Sequence, residues 1–391
     1  MNTREILGHL VGFDSTSRKS NLDLIRWIAK FLAQKGIDSR LVHDEIGTKA
    51  NLWATIGPSA TGGIILSGHT DVVPVDGQAW TSDPFALTER EGRLYGRGTS
   101  DMKGFVAVAL SAIERFAAAP LARPIHLAFS YDEEVGCHGV RRLLATLDLK
   151  AFRPAACIVG EPTMMRLVTS QKGYLGGRCD IQGFECHSSM ALEGVNAIQY
   201  AARIIEWLRQ RMQQHNRIGP FDPRFTPPMT TIHVGTIRGG TATNIVPRDC
   251  GFDFEIRAVP SEDPCAIVED MRRYCRETLE PEMRAINADC AIHTELLSRI
   301  PALEGDLLSN AVRLVRAVTG DNDCLAVAYG TEAGFFSEAG IPTVICGPGS
   351  IEQAHKPDEF IDIAQLSLGD QFMDRLAAQL CLPLVGSPRE V

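Results

Sequence analysis

The chain has no apolar run approaching the roughly 20 residues a membrane span needs, so no membrane partner is expected. It also lacks a basic surface: 39 Lys and Arg stand against 48 Asp and Glu, a net charge of −9, and no basic run of useful length occurs. A nucleic-acid partner requires a concentrated cationic face, so that class is disfavoured. There is no CxxC pair. The eleven cysteines are scattered singly and odd in number, which argues for free buried thiols rather than a disulfide framework. Met-Asn-Thr-Arg-Glu-Ile-Leu at the start carries no basic segment followed by an apolar core, so no secretory signal is expected. Together with the thiols, this points to the cytoplasm. No internal repeat or low-complexity tract is evident.

What is present is ordinary for a globular protein: 391 residues, 45% hydrophobic and 22% charged, enough for two domains with full cores. Asn21 can cap a helix whose apolar face is Leu24, Ile25, Ile28, Phe31 and Leu32. Short apolar runs at 51–56, 64–67, 125–130 and 156–159 read as buried strands, with helices at about 103–118 and 136–148. This alternation argues an α/β fold, a sheet flanked by helices. The texture changes in the middle. Strand-like segments at 174–182, 230–237, 250–258 and 290–298 alternate with helices near 194–214 and 262–278, the split βαβ order of a ferredoxin-like sheet. The α/β texture returns with a helix near 306–319, a strand at 343–346 and a closing helix near 366–380. The expected organisation is a first catalytic part at 1–174, an inserted α+β lid at 175–290 and a second catalytic part at 291–391.

The polar residues then acquire meaning from their positions. His69, Glu133, Glu134 and Glu161 each fall just beyond the C-terminal end of an expected strand, the edge where open α/β sheets form their ligand crevice. Asp101 follows in a glycine-containing loop before a helix, and His355 lies in Gln-Ala-His-Lys-Pro. Imidazoles and carboxylates without thiolates suit Zn²⁺ or Co²⁺, with Mn²⁺ also compatible. Gly96-Arg97-Gly98 opens like a dinucleotide fingerprint, but Asp101 replaces the third glycine, which argues against a nicotinamide-dependent oxidoreductase.

The ordered set Ser-Gly-His-Thr-Asp-Val-Val-Pro at 67–74, Tyr-Gly-Arg-Gly-Thr-Ser-Asp-Met-Lys-Gly at 95–104, Asp-Glu-Glu-Val-Gly at 132–136, Gly-Glu-Pro-Thr at 160–163 and Gly-Pro-Gly-Ser-Ile-Glu-Gln-Ala-His-Lys-Pro-Asp-Glu at 347–359 resembles the M20 family of metallopeptidases and amidohydrolases. Within it, Gly-Thr-Glu-Ala at 330–333 and the His-Lys-Pro-Asp-Glu-Phe ending look like the acetylornithine deacetylase branch. The resemblance implies a zinc-exopeptidase type of mixed sheet with a lid. It also implies two divalent ions: Asp101 bridging, His69 and Glu161 on one, Glu134 and His355 on the other. Glu133 would be the general base for a metal-activated hydroxide. Asp71 would orient His69 by accepting its second-nitrogen proton. A cis peptide after Asp101 is implied as well.

From the insert, the resemblance brings His187 to the reacting carbonyl of a neighbouring subunit, hence a homodimer through the lid. Cys186 stands where relatives carry glycine. Asn244 and Arg257 would contact substrate, Arg257 through its α-carboxylate. Glu332 is the nominee for an amino-acid side-chain ammonium, and Gly347 for close backbone approach at the substrate wall. The implied activity is deacylation of an N-acyl amino acid, N2-acetyl-L-ornithine foremost, in arginine biosynthesis. Other N-acyl amino acids, succinyl-diaminopimelate, dipeptides and carboxypeptidase substrates remain alternatives, as does an inactive binding homologue.

Overall fold

A computed structural model describes residues 1–382. Two compact units emerge. The first comprises Met1–Ser170, Leu303–Leu325 and the chain from Thr331, and the second comprises Gln171–Ala302 with Ala326–Gly330. Each has its own apolar core.

The first unit is built on a nine-stranded sheet. Its order runs Ser39–His43, Ala50–Ile56, Ile125–Ser130, Ile64–His69, Ala156–Val159, Thr343–Ile345, Val168–Gln171 and Leu303–Glu304, with Leu325–Val327 paired to Val168–Gln171. The four strands Ile125–Ser130, Ile64–His69, Ala156–Val159 and Thr343–Ile345 are mutually parallel, while antiparallel pairings lie outside them. This is the mixed sheet flanked by helices that the alternating pattern implies. Every residue of Ile64–His69, Ile125–Ser130 and Ala156–Val159 is buried, because parallel strands have both faces covered.

Helix Leu22–Ala33 buries Leu24, Ile25, Ile28, Phe31 and Leu32, the face read from its 3.6-residue period. Asn21 precedes it but makes no side-chain cap. Its amide instead donates to Ala50 O at 2.9 Å and Thr70 Oγ1 at 3.0 Å, and its oxygen accepts from Ala50 N at 3.0 Å. A buried amide that can satisfy both its donor and its acceptor on neighbouring strand-end groups gains more from them than from one helix N–H. The expected helix at 103–118 divides into Lys103–Ser111 and Ile113–Ala118.

The second unit is a four-stranded antiparallel sheet, ordered Thr231–Gly239, Asp249–Ala258, Gly173–Gln182, Ala291–Ile300. In chain order this is 4-1-3-2 read from the far edge, the ferredoxin-like arrangement. Helices Ala197–Ile218 and Pro264–Tyr274 bury Ile204, Leu208, Ile267 and Met271 in its core. An insert ending at residue 290 would cut off the strand Ala291–Ile300, which pairs along Gly173–Gln182; the unit continues to Ala302.

Candidate metal centre

Three adjacent parallel strands deliver the first donors. Ile64–His69 ends at His69, Ile125–Ser130 runs into the turn bearing Glu133 and Glu134, and Ala156–Val159 precedes Glu161. The fourth, Thr343–Ile345, leads through Gly347 toward His355. Asp101 enters from the loop before helix Lys103–Ser111, and the Asp101–Met102 peptide is cis, the form implied by the resemblance.

These side chains converge. His69 Nε2 lies 3.0 Å from Asp101 Oδ1 and 3.8 Å from Glu161 Oε1. Asp101 Oδ2 lies 3.4 Å from His355 Nε2, which is 3.0 Å from Glu134 Oε2. The two oxygens of one carboxylate therefore face two different imidazoles. Donor atoms of His69, Glu133 and Glu161 all fall within 4.8 Å of one another, as do those of His69, Asp101 and Glu134.

The electrostatics show how crowded the cluster is. Burial pushes the Glu133 carboxyl well above its ordinary range, and Glu161 adds to the effect. Glu161 is likewise raised by burial and by Asp101, and Glu134 is pushed up to about 7 by burial and Asp101. Burial opposes a charged His69, yet Asp101 and Asp71 hold its pKa well above the usual value. The Asp101 and Glu134 carboxylates raise His355 to about 10. Burial works against an ionised Asp101, but the imidazoles of His355 and His69 keep its carboxyl below the usual range. Four carboxylates sharing one small volume cannot all ionise without compensating positive charge. Two divalent cations would supply that charge, and the nitrogen and oxygen donors fit them.

The surroundings refine several sequence expectations. His69 Nδ1 is 2.9 Å from the main-chain oxygen of Asp71 and 3.6 Å from its carboxylate. A carbonyl only accepts, so this contact puts the proton on Nδ1 and leaves Nε2 free to ligate. The Asp71 carboxylate chiefly orders the acidic turn, accepting from Glu133 N at 3.1 Å, Glu134 N at 3.3 Å and Ser17 Oγ at 2.7 Å. Gly347 is buried, and a Cβ there would sit 2.0 Å from Gly160 O, so its close approach is to the backbone carrying Glu161.

Glu332 is 1% exposed. Its Oε2 accepts from Ser67 Oγ at 3.2 Å, its Oε1 has no partner among the described residues, and burial lifts its pKa to about 7. The residue nominated for a substrate ammonium is thus a buried polar group just before helix Ala333–Glu338, with one carboxylate oxygen left unsatisfied.

The other residues nominated from the sequence belong to the second unit. His187 is exposed and caps the short helix Ser188–Glu193. Its Nδ1 accepts from Ser189 N at 3.2 Å, so the neutral ring carries its proton on Nε2. Segments 186–188 and 244–246 run side by side, with Ser188 N donating to Asn244 O at 3.0 Å and Val246 N to Cys186 O at 2.8 Å, which brings His187 and Asn244 together. Cys186 has no positive φ, so a cysteine fits the backbone here without strain. Arg257 is half-buried, bonded through Nε to Glu255 Oε1 at 3.1 Å and lying over Tyr174.

Sequence reading assigned no role to Gln78, Arg97 or Glu359, although the last two lie within quoted motifs. Their signal is spatial: Glu359 accepts from Asp101 N across 258 residues.

A family model described as peptidase family M20/M25/M40 matches residues 65–379. Acetylornithine deacetylases of Proteus mirabilis and Photorhabdus laumondii are 37% and 36% identical to the chain, covering 94% of it and 92% and 93% of their own lengths. Among solved structures, an M20 family metallo-carboxypeptidase from Sulfolobus solfataricus shares the fold at a TM-score of 0.77 and 18% identity, over 97% of this chain and 99% of that one. A dinuclear metal binding peptidase of the M20 family from Bacillus subtilis gives 0.64 at 17% identity, over 96% and 98%. With the family match spanning residues 65–379 and the curated relatives covering 94% of the chain, the protein belongs to peptidase family M20/M25/M40 and is a metal-dependent amidohydrolase.

Proposed function

We propose that the enzyme removes the acyl group from N-acyl amino acids, with N2-acetyl-L-ornithine the leading substrate and L-ornithine and acetate the products. The observation that carries this reading is Asp101, whose two oxygens face His69 and His355 separately while Glu133 lies within the same cluster. The substrate choice is supported by the names of relatives at 36–37% identity.

Asp101 would bridge two divalent cations, zinc or cobalt, with His69 and Glu161 on one side and Glu134 and His355 on the other. When bound, such ions polarise the scissile carbonyl and make water a better nucleophile near neutral pH. Glu133 takes the proton of the attacking water and delivers it to the departing amine nitrogen; its raised affinity for a proton suits that exchange. Asp71 holds the Glu133–Glu134 turn through two main-chain bonds and so aims the base. His187 presents an Nε2–H that donates to the carbonyl oxygen as negative charge develops there, acting in the neighbouring subunit of a homodimer paired through the insert. Asn244 and the Arg257 guanidinium contact the amino-acid portion, Arg257 at the α-carboxylate. The eleven free cysteines accord with action in the cytoplasm.

A second reading, wider N-acyl-amino-acid specificity, is favoured by the burial of Glu332, which leaves the ornithine ammonium without an assigned acid. Product assays of metal-loaded enzyme on acetyl-, formyl- and succinyl-amino acids decide between them. Preference for acetylornithine over acetylmethionine supports the first reading, and the reverse order selects the second. No amide hydrolysis across the panel would end both.

A further inference from the structure

His69 and His355 are held in different ways. The His69 side chain is 1% exposed and fixed by packing, whereas that of His355 is 57% exposed and has little around it. The backbone at His355 must therefore do what packing does for His69. That backbone is strained: His355 and Asp358 have φ of 64° and 53°. For residues other than glycine the left-handed region is disfavoured, and it persists only where the surroundings enforce it.

The enforcement comes from a buried carboxylate. Glu359, 1% exposed, accepts through Oε1 from the amides of Ser100 at 2.8 Å and Asp101 at 3.0 Å, and through Oε2 from Gly98 N at 2.9 Å and Arg97 Nη1 at 2.8 Å. Arg97, equally buried, extends the network. Nη1 also donates to Lys356 O at 3.2 Å, and Nη2 donates to Gln78 Oε1 at 2.5 Å. Gln78 Nε2 then donates to the carbonyl of His355 itself at 2.9 Å. One connected set of bonds thus grips the amide of Asp101 at one end and the carbonyl of His355 at the other. All four acceptor contacts of Glu359 are with the loop that presents Asp101, so the chain just after His355 is locked onto that loop.

We propose that Glu359, acting through Arg97 and Gln78, is a positioning residue that sets the spacing between Asp101 and His355 and thereby the affinity for the cation on the His355–Glu134 side. The inference rests on the two-cation reading above. It is asymmetric: the His69–Glu161 side feels the clamp only through the shared, buried Asp101, and His69 and Glu161 are immobilised by their own burial.

The test is a calorimetric titration of chelated protein with Zn²⁺, with metal content measured after gel filtration, for wild type, Glu359→Gln and Gln78→Ala. Supporting groups around metal ligands typically change affinity by about 10–100-fold. The second binding event should weaken by about that factor in Glu359→Gln and by about 10-fold in Gln78→Ala, while the first changes by less than about 3-fold. Gln78 is only half-buried, so Gln78→Ala is the deciding variant should Glu359→Gln not fold. Two wild-type affinities in a folded Gln78→Ala, or equal weakening of both events, overturn the proposal. A wild-type chain that takes up only one cation sinks the dinuclear reading itself, a separate and recognisable result.

Discussion

Replacing Glu133 by glutamine should make the metal-free protein more stable and the metal-loaded protein nearly inactive. Glu133 and Glu161 offer oxygens within 4.8 Å of each other in the cluster they share with His69. Two unit charges at that separation repel by about 3 kcal/mol at an effective dielectric near 20. Glu133 is half-buried, so water at the mouth screens part of this, and about 1–2 kcal/mol is the expected gain. The sign follows from proton linkage. Burial and Glu161 raise the folded-state pKa of Glu133 above the ordinary 4.5. Its contribution is therefore fully present below that value and is lost as pH rises toward the raised pKa. The advantage of the glutamine variant should accordingly be small near pH 4.5 and grow toward pH 8. Urea unfolding of chelated wild type and variant at several pH values measures it. With metal restored, the variant should bind both ions but lose about 10²–10⁴-fold in kcat. A metal-free Glu133→Gln less stable than wild type at pH 8, or a loaded variant within tenfold of wild-type activity, would refute the reasoning.

Other outcomes are expected. His126 is stacked on Trp53, with Nδ1 2.9 Å from Thr55 Oγ1 and Nε2 unpartnered among the described residues, and burial lowers its pKa to about 4. The folded state resists its protonation, so stability should fall by roughly 3 kcal/mol as pH drops from about 6.5 to 4 and then level off; His126→Phe should lose that component, and an unchanged acid slope in denaturant melts would contradict the assignment. Chelation should lower the melting temperature, and restoring metal at about 100 times its Kd should return about 2.7 kcal/mol; scanning calorimetry with and without chelator checks this. Glu332→Gln should leave the preference among N-acyl amino acids unchanged, because the carboxylate is an interior partner of Ser67; a selective loss of ornithine over methionine substrates would instead show that the ammonium reaches it.

Much of the fold was legible locally. The period of Leu24, Ile25, Ile28, Phe31 and Leu32 specified a buried helix face, and four short apolar runs specified central strands, because spacing along the chain is the only information those patterns need. The split βαβ order of the insert was equally readable, apart from its end at Ala302, which depends on a strand pairing rather than on a composition change. Asn21 shows the limit: an asparagine before a helix has the chemistry of a cap, but a better set of partners on Ala50 and Thr70 lies a fold away.

The amino-acid order alone determined which donor types stand at the ends of which strands, and hence that His69, Asp101, Glu133, Glu134, Glu161 and His355 are candidates for one centre. Only the tertiary structure decided that they meet, since their approach depends on the lateral order of strands remote in the chain. It also decided which groups hold them: the carbonyl of Asp71 on His69, its carboxylate on the acidic turn, and Glu359 on the amide of Asp101. A hydrogen bond reaches about 3 Å, and no pattern along a chain encodes proximity between atoms that folding alone brings that close.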